Sequence, residues 1–128
     1  KLPYVVKGMD TSFSGISTKA GQLLEKGFSK EDLCFSLQET CFAMLAEVSE
    51  RALAHTGKKE LLLVGGVGAN QRFCEMLNRM CQERGAKFYK VPLDLAGDQG
   101  AMIAWEGFLR KDQFGDEKVK TYWRTDEV

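Results

Sequence analysis

The residues best suited to chemistry gather in Glu60-Leu-Leu-Leu-Val-Gly-Gly-Val-Gly-Ala-Asn70, where a short apolar run ends in glycines and opens into a helical pattern. Gly65, Gly66 and Gly68 permit a tight turn and let a ligand approach with no Cβ in the way. From about Ala69 the apolar residues Phe73, Met76, Leu77 and Met80 recur at helical spacing, which aims the unpaired amides of a first helical turn toward the glycines. Such amides suit a nucleotide phosphate or another anion. The same order of strand, glycine pair and helix is also how many α/β units turn a corner, and the run is neither G-x-G-x-x-G nor a P-loop with its Lys-Ser/Thr ending. On this motif alone, the plain corner is the favoured reading.

Other polar candidates are sparse. Asp98, with Gly100 close behind it, reads as the N-cap of a last helix, and Asn70 reads as a cap as well. Ser12 and Ser14 fall in Ser12-Phe13-Ser14-Gly15, a turn whose hydroxyls can bond their own backbone. His55 stands alone near a predicted helix C-terminus, facing the helix dipole or solvent. No H-E-x-x-H is present and no cysteine has a histidine partner other than His55, so peptidase chemistry finds no support. Cys34 and Cys41 are seven positions apart in one helical pattern, as are Cys74 and Cys81 in another. Seven helical residues rise about 10.5 Å, beyond the roughly 7 Å limit between disulfide-bonded Cα atoms. Each pair is therefore expected on one buried helix face, as reduced core thiols.

The elements that must position these residues follow from periodicity. Tyr4 to Phe13 reads as a strand, and a helix over 16–25 is stopped by Gly27. Ser29 with Asp32 resembles a capping box and opens the longest helix, over 29–55, which Gly57 ends. Its expected stripe is Leu33, Leu37, Cys41, Leu45, Val48 and Ala52, widened by Phe35 and Phe42. Leu61 to Val64 reads as a strand buried on both faces of a parallel sheet. A helix to Arg84, a strand over 87–91 and a helix from near Asp98 with Met102, Ile103, Trp105 and Phe108 follow; the tail from Lys111 is charged, with Tyr122-Trp123 its only large apolar pair. Parallel α/β packing fits this order. Three strands are few for four helices, which predicts a sheet completed by residues outside this sequence.

Composition adds bounds. With 128 residues, 44% of them hydrophobic and 28% charged, the chain suits one globular core. Its formal net charge of zero makes no case for nucleic acid or membrane. Basic groups at Lys58-Lys59, Arg110-Lys111 and Lys118, Lys120, Arg124 lie beside acidic residues and read as solvated faces. No stretch has the length of a membrane span and no signal peptide precedes the first strand, so a soluble, intracellular protein is expected.

Five ordered segments together resemble one family: Lys7-Gly-Met-Asp-Thr-Ser-Phe-Ser-Gly15, Glu31-Asp-Leu-Cys-Phe-Ser-Leu-Gln-Glu39, Val64-Gly-Gly-Val-Gly-Ala-Asn70, Asp98-Gln-Gly-Ala-Met-Ile-Ala104 and Arg124-Thr-Asp-Glu-Val128. They are similar to the C-terminal part of the tRNA threonylcarbamoyladenosine transferases, a family once taken for glycoprotein endopeptidases, and above all to the archaeal and eukaryotic branch that works in the KEOPS complex. The resemblance implies an α/β fold, part of the second domain of the actin, hexokinase and Hsp70 type (ASKHA), a mostly parallel sheet with flanking helices. It places residues 1–110 in that incomplete domain and 111–128 in a charged tail. It implies transfer of a threonylcarbamoyl group from threonylcarbamoyl-AMP to N6 of the adenosine beside the tRNA anticodon.

Residue by residue, the resemblance makes Asn70 a nucleotide or substrate contact, sets the adenylate against Gly65 and Gly66, and brings Ser12 and Ser14 to the same cleft. ATP, AMP or threonylcarbamoyl-AMP would be the ligand. Asp98 would complete a divalent iron or zinc site whose paired histidines lie upstream of this sequence; Gln99 stands where the family usually has asparagine. Implied partners are the absent N-terminal half, a small kinase, a small dimerising subunit and tRNA, with no membrane, in the cytoplasm and also the nucleus if eukaryotic. The rival class is a non-catalytic nucleotide-binding or scaffold fragment of a KEOPS-like complex; a sugar kinase of the same superfamily fits the five segments less well.

Overall fold

In the computed structural model, which describes residues 1–97, 99–113, 115, 121 and 122, Gly8 adopts a left-handed backbone (φ 63°) and divides the expected first strand. The result is a small hairpin in place of one strand, with β1 (Val6–Lys7) antiparallel to β2 (Asp10–Thr11). Glycine at the first position of a two-residue turn accounts for the reversal. The chain divides into two units, Lys1–Gly97 and Asp98–Val128.

The first unit is organised around α2 (Lys30–Thr56), preceded by α1 (Ile16–Glu25). Its ends follow local chemistry: the Ser29 hydroxyl accepts from the amide of Asp32 at 3.2 Å, and Gly57 closes it in the left-handed conformation (φ 65°). Then come β3 (Glu60–Leu63), a turn of 3-10 helix (Gly66–Ala69), α3 (Gln71–Glu83) and β4 (Lys87–Lys90). β3 and β4 pair parallel, with Glu60 opposite Lys87 and Leu63 opposite Lys90, as the parallel reading expects. The crossover through α3 makes this a βαβ unit.

The core joins Phe42 and Leu53 of α2 to Phe73, Leu77, Met80 and Cys81 of α3, with Leu61, Leu63 and Phe88 of the sheet packed against it. Phe42 and Phe73 stack with ring centres 4.8 Å apart. Three expectations of burial change here. Leu61 and Leu63 face the core, but Leu62 and Val64 are each 63% exposed, because within this unit α2 and α3 cover one face of the sheet and strand side chains alternate. On α2 the expected stripe is only half-buried, and Phe42, Met44 and Leu53 are the buried residues, since the helix meets the hairpin on one side and α3 on another. Phe35 and Cys34, expected on the buried face, are exposed. All four cysteines are free, and Cys74 and Cys81 are core thiols as expected.

The second unit contains α4 (Gly100–Leu109), with Gln99 at its N-cap position. Trp105 stacks on Phe108 at 5.4 Å, and Arg110 pairs with Glu106. Asp98, Lys118, Lys120, Trp123 and Arg124 lie outside the described residues. No helix among the described residues is long and apolar enough to cross a membrane.

Candidate functional site

The glycine turn is built by three different backbone demands. Gly65 (φ 87°, ψ 168°) sits in a region that only glycine occupies without strain, and this lets β3 pass straight into the 3-10 turn. Gly66 needs no such freedom, and a Cβ on either Gly65 or Gly66 would point into open space. Gly68 is buried and serves packing: a Cβ there would come within 3.3 Å of Leu63 Cγ, and its carbonyl accepts from the Cys74 thiol at 3.2 Å. Two of the three glycines are thus open to a ligand and the third is closed against the core. The amides of Gly66 and Val67 lie ahead of the first closing bond of the turn, Gly68 N to Gly65 O at 2.9 Å.

Asn70 ends the turn in an extended conformation and caps α3, its Oδ1 accepting from the amide of Phe73 at 3.2 Å. The helix therefore starts at Gln71, later than expected, and one first-turn amide expected to face the glycines is taken by Asn70 itself. The other end of the same amide group, Nδ2, donates to Gln38 Oε1 on α2 at 3.2 Å. Next to it, Arg72 grips Glu39 with two bonds of 2.7 Å and lies 3.7 Å from Glu75. The guanidinium holds the Glu39 carboxyl below the usual carboxylate range. Gln38 and Glu39 fix the start of α3 and were given no role by sequence reading, although both fall in one of the five matched segments.

Ser12 and Ser14 are held elsewhere. The Ser12 hydroxyl accepts from the amide of Ser14 at 3.3 Å, the self-bonded turn that residue type suggested, and among the described residues no hydrogen bond links either serine to the glycine turn. Their hairpin is pinned to α2 by Tyr4 Oη to Glu47 (2.6 Å), Arg51 to the Gly8 carbonyl (2.6 Å) and Val5 N to Met44 Sδ (3.2 Å). Met44, Glu47 and Arg51 form one helix face, whereas Glu39, Phe42, Glu50 and Leu53 face α3. Gly65, Gly66 and Asn70 are brought together; the serines flank a different side of α2. The His55 side chain shows no hydrogen bond or ion pair among the described residues, and no group of three or more His, Cys, Asp or Glu there could hold a metal ion. Asp98, the resemblance-implied metal ligand, lies outside them.

The geometry can hold an anion against the backbone at Gly65 and Gly66, with a polar amide at the far end of the turn. Comparisons with known proteins bear on the family to which the chain belongs. The sequence pattern of the family described as tRNA N6-adenosine threonylcarbamoyltransferase matches residues 1–105. A probable bifunctional tRNA threonylcarbamoyladenosine biosynthesis protein of Methanosarcina mazei is 58% identical over 132 residues, covering 99% of this chain and 24% of that protein. A tRNA N6-adenosine threonylcarbamoyltransferase of Methanocella arvoryzae is 57% identical over 132 residues, 99% of this chain and 41% of that protein. Another of the same name, from Archaeoglobus fulgidus, is 58% identical over 126 residues, 98% of this chain and 39% of that protein. The chain thus spans between 24% and 41% of the length of these curated relatives.

Proposed function

The chain belongs to the tRNA N6-adenosine threonylcarbamoyltransferase family, and we propose that it is the nucleotide-facing part of a longer enzyme that moves a threonylcarbamoyl group from threonylcarbamoyl-AMP to N6 of the adenosine beside the tRNA anticodon. The observation that carries this reading is the open backbone at Gly65 and Gly66, where a side chain would occupy the space an adenylate needs. The adenylate would supply the chemistry as an activated acyl donor: the adenosine amine attacks the carbamoyl carbonyl, the C–N bond forms as the carbonyl's C–O bond to phosphate breaks, AMP leaves with that electron pair and the amine's proton passes to solvent. This chain's own task is positioning. The amides of Gly66 and Val67 would take the phosphate, and preorganised donors of this kind act without reorganisation cost at the moment of reaction. Asn70, locked by Phe73 and Gln38, would set one edge of the nucleotide pocket.

The finer fold reading, a part of an ASKHA-type second domain, is consistent with the parallel βαβ unit and belongs to the same proposal, as does the division into a domain over 1–110 and a tail over 111–128. Ser12 and Ser14 would reach the cleft only from across α2. For the metal, the described residues offer no complete ligand set, so Asp98 would supply at most one ligand of a site completed elsewhere, and no step is assigned to a metal here. A small kinase and a small dimerising subunit are proposed companions, with a cytoplasmic setting. A second reading, a nucleotide-binding part without turnover of its own, is favoured by the chain's covering between 24% and 41% of those relatives.

The test is transfer by the intact protein. With threonylcarbamoyl-AMP and an unmodified tRNA, wild type should form threonylcarbamoyladenosine, detected by nucleoside mass spectrometry, and Gly66→Val should lose it while keeping its thermal transition. Nucleotide binding with no product from a folded, intact wild type would leave only the second reading standing.

A further inference from the structure

Parallel pairing of β3 with β4 assembles a basic surface that the sequence does not display. Lys58, Lys59, Glu60, Gly85 and Lys87 line one concavity of about 460 Å³ at the end of the sheet where both strands begin. Its lysines ride on fixed backbone: the amide of Lys87 donates to the carbonyl of Lys59 at 2.8 Å, and Lys87 is the register partner of Glu60. Gly85, left-handed at φ 63°, adds no side chain, and a Cβ on it would meet open space.

The cations of this protein divide by type. Among the described residues every ion pair is made by an arginine, Arg51, Arg72, Arg79, Arg84 or Arg110. Lys58, Lys59 and Lys87 are exposed and enter none of them. Glu60, the carboxylate lining the concavity, accepts from the Tyr89 hydroxyl at 3.3 Å. A chain of zero formal charge therefore gathers three ammonium groups outside any described ion pair, against one carboxylate, in one concave place. Lysine is a strongly hydrated point charge on a flexible stem, without the planar fork that reads carboxylates or base edges in two-bond geometry. Three such groups suit repeated, sequence-independent phosphates, the contacts that position a nucleic acid without reading it.

We propose that the Lys58, Lys59 and Lys87 concavity grips the phosphate backbone of the acceptor RNA, an inference that rests on the tRNA-directed reading above. It lies at the opposite end of β3 from the glycine turn. A four-residue strand spans about 13 Å, so an RNA stem held at the strand starts is anchored within the same unit as the glycine turn, one strand length away.

The experiment measures binding of a fluorescein-labelled tRNA transcript to the intact protein by anisotropy across a KCl series, with AMP affinity by calorimetry in parallel. The triple variant Lys58→Gln, Lys59→Gln, Lys87→Gln should lower the slope of log affinity against log salt by about 2 to 3, since each phosphate contact contributes roughly 0.7–0.9, and should leave AMP affinity unchanged. The corresponding triple arginine variant should keep the wild-type slope, which separates charge from fold. If wild type binds the transcript and the glutamine variant matches its slope, the concavity is a solvated face and the inference is overturned while the RNA reading survives. Binding of AMP without any binding of tRNA by wild type would overturn both. A loss in the glutamine variant that appears with poly-glutamate and not with the transcript would replace RNA by an acidic protein surface.

Discussion

Alanine placed in turn at Gly65, Gly66 and Gly68 separates what the turn does for the fold from what it does for a ligand. At Gly65 the backbone (φ 87°, ψ 168°) is one that side chains resist, and forcing alanine into it costs on the order of 1–3 kcal/mol. At Gly68 the new methyl meets Leu63 Cγ at 3.3 Å, so the leucine must give by a few tenths of an ångström inside a packed core. At Gly66 neither problem exists: φ is not positive and the methyl points into open space. Replacing glycine at a compatible position stabilises by about 0.4–1 kcal/mol through the unfolded chain. Gly66→Ala should therefore unfold at a urea concentration equal to or above wild type, Gly65→Ala clearly below it. Calorimetric titration of AMP into the intact protein should then run against stability. Gly66→Ala should weaken AMP at least tenfold, about 1.4 kcal/mol, because the methyl stands where the phosphate would meet the backbone. Wild-type AMP affinity in a stable Gly66→Ala protein would refute the placement of the phosphate, and an undiminished unfolding midpoint in Gly65→Ala would refute the backbone reasoning itself.

Three further outcomes are expected. Asn70→Ala should lose about 1 kcal/mol of stability with its cap, whereas Asn70→Ser should recover most of that in urea titrations yet bind AMP as poorly as the alanine variant, because a hydroxyl caps the helix without spanning to Gln38. Burial and the bond to Glu47 push the Tyr4 hydroxyl up to about 12. An acid whose folded value is raised above the unfolded value of about 10 contributes its stability fully below pH 10 and loses it as pH rises toward 12, so one of the three tyrosines should ionise late in a phenolate absorbance titration, and Tyr4→Phe should remove that late component. A thiol-specific reagent should label exposed Cys34 quickly and reach Cys74 and Cys81 only on unfolding, with burial raising the Cys81 thiol and slowing it further; equal labelling rates in the native protein would contradict the core.

Legibility in the sequence followed the range of the interaction. Ser29 and Gly57 bound the long helix because a hydroxyl three residues from an amide and a left-handed glycine act locally, and the helices over 16–25 and 30–56 stand within a residue or two of their expected ends. The glycine turn was visible for the same reason, and its five-segment context named a family that the comparisons then bore out. The hairpin was missed because period-two patterning cannot by itself distinguish one strand crossing Gly8 from two strands turning at it.

The amino-acid sequence alone thus determined the order of helices and strands after the first hairpin, the helix ends, the open glycines before Asn70 and the family, since each depends on residues a few positions apart or on their ordered recurrence. Only the tertiary structure decided which faces are buried. Whether Leu62, Phe35 or Cys34 meets water depends on where α2 and α3 land, because every one of them fits an apolar pattern equally well. It alone joined Asn70 to Gln38, Arg72 to Glu39 and Arg84 to Glu50, and set Lys87 beside Lys59. These partners are distant in sequence and no local period encodes them, so the physical cause of each is the packing of one element on another.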